Sequence, residues 1–236
     1  MLVPQESVKY WSYCFYSGSL FGFTGNDTSM AVNLSKDTLK EYADNLHAER
    51  VRAESGHYYD ELDSLSVAGK TVLEFGCGTG ADSYYMLKCG AKVTACDIVP
   101  TNVMVARRLL EPEASVVLLQ DYEDIKKLGK FDLIYSHGCI HHIYPEAASQ
   151  VIASLSDALN DGGHCLVMVY TDIFYPHENA HPDHPEGPYT RGFSVSELAN
   201  LFPLICKSVR FFNQSTFSWT LFQKQELPVD GDRNES

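Results

Sequence analysis

Across residues 68–170 the chain alternates short apolar runs with amphipathic stretches, and this alternation constrains its fold more than any other feature. The runs are Thr71–Phe75, Lys92–Cys96, Ser115–Leu119, Phe131–Tyr135 and Gly163–Tyr170. The clearest intervening helix is Pro145–Leu159. Apolar runs of this length read as strands buried on both faces, and helices between them supply the crossovers of a parallel sheet. After a Pro/His-rich loop comes a helix from about Ser194 to Phe202. Two β-rich runs then follow, Ser208–Phe212 and Phe217–Phe222, with a turn at 213–215 that suits an antiparallel hairpin on the sheet edge.

Two segments, 1–67 and 224–236, flank a core of residues 68–223, which itself carries a pocket-covering loop at 175–191. Residues 1–67 combine an aromatic cluster, including Tyr10 and Trp11, with a charged stretch. In that stretch Leu39, Tyr42 and Leu46 recur at helical spacing behind Ser35, a candidate N-cap. Residues 175–191 form the loop, and 224–236 read as a frayed tail.

Composition narrows the partners. The 236 residues, 44% apolar and 21% charged, suit one globular unit rather than a disordered chain. Eighteen Lys and Arg against 31 Asp and Glu leave a formal charge of −13. No basic field offers itself to a phosphate backbone, so a small molecule is expected as partner and nucleic acid is not. The seven cysteines form no CxxC pair and read as reduced thiols. No secretory leader is expected, and glycines and serines interrupt the uncharged run from Tyr10 to Asn26, so no membrane span is expected either. A cytoplasmic location is the corresponding expectation. Oligomeric state has no sequence signal.

The chemistry concentrates in Val72-Leu73-Glu74-Phe75-Gly76-Cys77-Gly78-Thr79-Gly80-Ala81-Asp82, an apolar strand running into three alternate glycines and then a helix. Glycine there lets the backbone turn sharply and approach a ligand without a Cβ in the way. The loop alone also satisfies a dinucleotide fingerprint, which leaves an NAD-dependent oxidoreductase open. Asp97, 21 residues after Gly76, ends the next run where a carboxylate can accept from both hydroxyls of a ribose. Glu74, two residues before the first glycine, would repel a pyrophosphate but suit a ligand ammonium. Asp121-Tyr122 follows the third run, and Ser136-His137-Gly138-Cys139-Ile140-His141-His142 follows the fourth.

These ordered segments resemble the class I S-adenosylmethionine-dependent methyltransferases, in particular the small-molecule branch whose fourth strand ends like YS-x-G-x-x-HH. The resemblance implies a Rossmann-like, doubly wound seven-stranded sheet of order 3-2-1-4-5-7-6, the last strand antiparallel, with an N-terminal helical lid. It implies S-adenosylmethionine as cofactor and S-adenosylhomocysteine as product. Glu74, Gly76, Cys77, Gly78 and Gly80 would hold the methionine portion and Asp97 the ribose. Ile98, Asp121 and Tyr122 would hold the adenine, and Ser136 and His137 would line the region near the sulfur. As a reading of residues alone, Asp121 serves equally well as a helix cap.

Methyl transfer needs positioning and, for a protonated acceptor, a base near neutrality. His141 and His142 are the candidates, with His141 the better placed and His142 equally explained by packing on the next helix. Tyr10 and Trp11 by resemblance, with Tyr175, Tyr189 and Arg191, are candidate walls or clamps for the acceptor. For Arg191 a surface pair with Glu186 or Glu197 is the competing reading. No metal is expected, although His177, His181 and His184 share the loop. The expected reaction is methylation of an O or N atom of a small metabolite. Aminocarboxypropyl transfer, cyclisation releasing methylthioadenosine, and non-catalytic binding stay open as alternatives.

Overall fold

Each apolar run of the sequence becomes a strand, because only a sheet covered on both faces buries side chains that point alternately up and down. The computed structural model describes residues 2–5, 7–8, 31–53, 57–173, 189–212 and 215–226. The strands are β1 (Thr71–Phe75), β2 (Lys92–Asp97), β3 (Ser115–Leu118), β4 (Phe131–His137), β5 (Leu159–Tyr170), β6 (Ile205–Phe212) and β7 (Phe217–Gln223). They form one sheet of order β3-β2-β1-β4-β5-β7-β6, as expected. β7 runs antiparallel to both β5 and β6, so the C-terminal hairpin inserts its second strand between β5 and its own first strand.

Helices cover both faces. On one side lie α1 (Lys36–Ala53), α3 (Ala81–Lys88) and α4 (Pro100–Leu110), where Leu39, Tyr42, Met86 and Val103 pack against Val72, Tyr135 and Trp219. On the other lie α5 (Pro145–Ala158) and α6 (Val195–Leu201), where Val151, Ile152, Leu155 and Leu198 pack against Leu73, Ile134 and Val167. The short α2 (Asp60–Ser64) adds Leu62 to the first layer. Local chemistry sets several element starts. The Thr38 amide donates to Ser35 Oγ at 3.1 Å ahead of α1, and Ser194 and Glu197 form a reciprocal capping box at α6.

Two details differ from the reading of the sequence. β5 begins at Leu159 rather than Gly163, because a register shift lets Leu159 pair with Phe131 before His164 pairs with Leu133. The described part of the N-terminal segment is also built into the core, with Leu39, Tyr42, Tyr59 and Leu62 all buried. Among the described residues no helix is long and apolar enough to cross a membrane. The six described cysteines are free thiols.

Candidate cofactor and acceptor site

The strand order reverses between the parallel strands β1 and β4, descending to one side and ascending to the other, and a crevice opens at the carboxyl ends of the strands at such a point. Here it is a cleft with the glycine loop as its floor. Gly76 has φ +78° and its missing Cβ would meet Cys139 Sγ at 2.4 Å, so the loop after β1 and the loop after β4 fit together only with glycine there. Gly78, at φ +53°, has nothing within 4 Å of where a Cβ would stand, so its backbone faces open space.

Asp97 closes the floor. Its carboxylate accepts from the Gly78 amide (2.8 Å) and the Val99 amide (2.8 Å), with the Asn102 amide group at 3.4 Å. Burial pushes its pKa up to about 6, against the lowering by these donors. Ile98, Leu119, Tyr122 and Ile143 supply apolar walls on the β2–β3 side. Glu74 lines the opposite part and takes a hydrogen bond from Ser83 Oγ. Burial, then the neighbouring Asp82, raise its pKa well above the ordinary carboxylate value. A ligand ammonium beside it would restore its charge.

A polar cluster that sequence reading missed stands at this end. Arg50 of α1 lines the cleft and places Nη1 2.5 Å from Asp82 Oδ1 and 3.0 Å from Tyr59 Oη. Tyr59 Oη also donates to Asp82, at 2.8 Å, and Tyr135 Oη lies 3.4 Å from its second oxygen. Burial raises the Asp82 pKa, but the Arg50 guanidinium outweighs it and the carboxyl lies below its ordinary value. The signal was present: Arg50 continues the buried stripe Leu39, Tyr42, Leu46 at helical spacing, where a cation needs a buried partner.

Of the expected cofactor residues, the structure brings Glu74, Gly76, Cys77, Gly78, Asp97, Ile98, Tyr122 and His137 to the cleft. Three stand elsewhere. Gly80 begins α3, and a Cβ on it would meet Leu110 Cδ1 at 2.9 Å, so it serves helix packing. Ser136 is fully buried and donates to the Phe75 carbonyl at 3.0 Å, tying β4 to β1. Asp121 caps the 3₁₀ turn Tyr122–Lys127 by accepting from the Glu123 amide at 2.8 Å.

The two histidines exchange the parts assigned to them. His141 is 1% exposed, its ring against His142 and Tyr170, and it lies outside the cleft wall. His142 lines the cleft, with Nδ1 3.0 Å from Thr190 Oγ1 and 3.2 Å from the Tyr189 carbonyl. A short 3₁₀ turn, Ile140–His142, produces the exchange by rotating successive side chains apart. Tyr189 is buried and stacked on Tyr144. Arg191 is not among the residues lining the cleft; its guanidinium lies over the Phe193 ring at 4.2 Å, with Nη2 3.4 Å from Glu197 Oε1. Tyr10, Trp11 and Tyr175 lie outside the described residues, as do His177, His181 and His184. Among the described residues no group of three His, Cys, Asp or Glu is arranged to hold a metal ion.

Residues 72–163 match the family model of a methyltransferase domain. An uncharacterized methyltransferase of Bacillus cereus is 31% identical over 145 residues, which are 61% of this chain and 66% of that protein. The chain thus spans just under two thirds of that relative's length. Among solved structures, an S-adenosylmethionine-dependent methyltransferase from Mesorhizobium loti is similar at TM-score 0.58 and 16% identity, over 70% of this chain and 97% of that one. A 1,6-didemethyltoxoflavin N1-methyltransferase from Burkholderia thailandensis, solved with bound 1,6-didemethyltoxoflavin and S-adenosylhomocysteine, is similar at TM-score 0.52 and 20% identity. That match covers 79% of this chain and 90% of the other. At such identities the likeness is one of fold.

Proposed function

We propose that the chain, whose residues 72–163 match a methyltransferase domain, is a class I S-adenosylmethionine-dependent methyltransferase that methylates an O or N atom of a small metabolite. The observation that carries this reading is Asp97. A buried carboxylate hung from the glycine loop, next to the apolar side chains Ile98, Leu119 and Tyr122 of the cleft, suits ribose hydroxyls, and Glu74 in the same cleft suits an ammonium better than a pyrophosphate. The cradle fits the cofactor chemically, with the open backbone at Gly78 under the ligand, apolar walls for an adenine, and Glu74 and Arg50 of opposite sign for an amino acid end.

When bound, S-adenosylmethionine supplies a methyl group on a sulfonium, whose leaving group is a neutral thioether. The protein's own work is then positioning and proton handling. Asp97 holds the ribose, and Ile98, Leu119 and Tyr122 exclude water from the base. His142 is the candidate general base. The Tyr189 carbonyl can only accept, so Nδ1 carries the proton and the lone pair sits on Nε2. Nε2 takes the proton that the acceptor oxygen or nitrogen sheds. His141 supports that ring from behind.

Incubation with S-adenosylmethionine, with and without a metabolite extract, followed by mass spectrometry, tests the reading. S-adenosylhomocysteine forming only with extract is the expected outcome. Methylthioadenosine formed by the enzyme from S-adenosylmethionine alone would replace methyl transfer by cyclising or aminocarboxypropyl chemistry. With an acceptor in hand, His142→Ala lowers turnover roughly a hundredfold or more while cofactor affinity stays within a few-fold. His141→Ala acts through stability.

A further inference from the structure

The start of the chain is laid along the carboxyl end of β3. The Val3 amide donates to the Gln120 carbonyl at 3.2 Å, and Leu2 pairs with Asp121 in antiparallel register. One residue before Gln120, the Leu119 amide donates to the Asp97 carbonyl at 2.9 Å. Main-chain pairing thus leads from Val3 to the residue whose carboxylate closes the floor of the cleft. The Val8 amide donates to the Pro4 carbonyl at 3.2 Å, so the next residues make one helical turn, a rise of about 6 Å over four residues. Ser7 therefore stays within one turn of the Gln120 pairing, at the β3 side of the cleft, with β2 between it and the strand that carries Glu74. Leu2 and Gln5 are exposed, whereas Val3 and Ser7 are each 4% exposed. Val3 joins the apolar layer that includes Leu119, Tyr122 and Ile143. Ser7 lines the cleft itself, as do Ile98, Leu119, Tyr122 and Ile143.

We propose that this N-terminal segment is part of the cofactor site and that the Ser7 hydroxyl hydrogen-bonds the edge of the nucleoside's purine base. The inference rests on the S-adenosylmethionine reading and deepens it, from an apolar slot for the base to a polar contact with it. An apolar slot accepts any flat ring, whereas a hydroxyl against its edge favours a ring that carries donors and acceptors. Asp97 is taken by the ribose in that reading, and Asn102 reaches toward Asp97. The Ser7 hydroxyl forms no hydrogen bond with another described residue. A buried hydroxyl left unpaired costs free energy, and a ligand that pairs with it recovers that cost. The hydroxyl can both donate and accept, which matches a purine edge, where ring nitrogens accept and an exocyclic amine donates. Val3 is a positioning residue in this scheme, since its buried side chain and its main-chain bond hold the turn against β3.

Calorimetry with S-adenosylhomocysteine and methylthioadenosine tests the contact, because the two share the adenosine and differ in the amino acid end. Ser7→Ala weakens both by the same factor, about threefold to tenfold, the loss of one neutral hydrogen bond. The unliganded variant melts as the parent does, so the loss is one of binding and not of folding. Hydrogen exchange reads the same contact in the unaltered protein, where the Val3 and Val8 amides exchange more slowly once S-adenosylhomocysteine is bound. The proposal is overturned if Ser7→Ala binds both ligands as the parent does. It is equally overturned by a loss confined to S-adenosylhomocysteine, which would put Ser7 at the amino acid end, or by Val3 and Val8 amides whose exchange ignores the ligand. If Ser7→Ala does not fold, the exchange of the parent decides. Failure of the parent to bind either ligand would instead remove the cofactor reading itself.

Discussion

At the scale of single residues, the proposed ribose contact of Asp97 would link cofactor binding to pH. Its carboxyl is raised to about 6 by burial, so in the free protein the charged form is costly. For folding alone, the sign is that stability is greatest below the unfolded carboxyl's pKa and declines as pH rises through about 6. For binding the sign reverses. Ribose hydroxyls donate to the ionised form, so affinity for S-adenosylmethionine and S-adenosylhomocysteine falls together as pH drops below about 6. Asp97→Ala removes the acceptor altogether and weakens both ligands by roughly tenfold or more, the loss of hydrogen bonds to a charged group. Calorimetry across pH 5 to 8 measures both effects, and an affinity independent of Asp97 would remove it from the ribose site.

At the scale of elements, α1 is held to the sheet by more than its apolar stripe. Leu39 and Tyr42 bury against the core, and one turn beyond Leu46 the helix inserts Arg50 into the Asp82, Tyr59 cluster at the start of α3. Removing one partner of a buried pair leaves the other charge uncompensated. Arg50→Met therefore destabilises by about 3 kcal/mol at neutral pH, measured by urea unfolding. The folded Asp82 pKa lies below its ordinary value, so its contribution is present above the unfolded pKa and is lost as pH falls through the folded one. Without Arg50, burial dominates and Asp82 takes up a proton at higher pH. The penalty is accordingly smaller near pH 4 than near pH 7. An equal penalty at both would show that Arg50 acts only through the packing of its stem.

At the scale of the whole molecule, ligand binding and folding are one equilibrium. The cleft draws its walls from α1, the loops after β1, β2 and β4, and the 3₁₀ turn at Tyr122, so a bound ligand joins elements that are far apart in the chain. S-adenosylmethionine at a hundredfold its dissociation constant stabilises the native state by about 2.7 kcal/mol. For a chain of this size that corresponds to a rise in melting temperature of roughly 5–10 °C. NAD at the same concentration is expected to produce no rise, because the cofactor reading proposed above sets Glu74 against a pyrophosphate in this cleft. A rise with NAD alone would reverse the cofactor assignment.

How much of this was legible beforehand follows from the range of the forces involved. Strands, helices and the glycine loop are written in local patterns: apolar runs buried on both faces, a cap such as Ser35, and glycines where the backbone must take positive φ. The sheet order followed from the resemblance those motifs carry. Side-chain direction beyond the strand ends was not legible, because one residue of a tight turn decides it. Ser136 lies inward and His137 outward at the end of β4, and His141 is buried while His142 lines the cleft, although both pairs are adjacent in sequence. The Arg50–Asp82 and Tyr58–His137 pairs are 32 and 79 residues apart in the chain, so no spacing rule announces them. Local sequence determined the elements and the cofactor loop. Tertiary packing alone decided which polar side chains meet in the cleft, since burial and long-range pairing exist only once the chain has closed on itself.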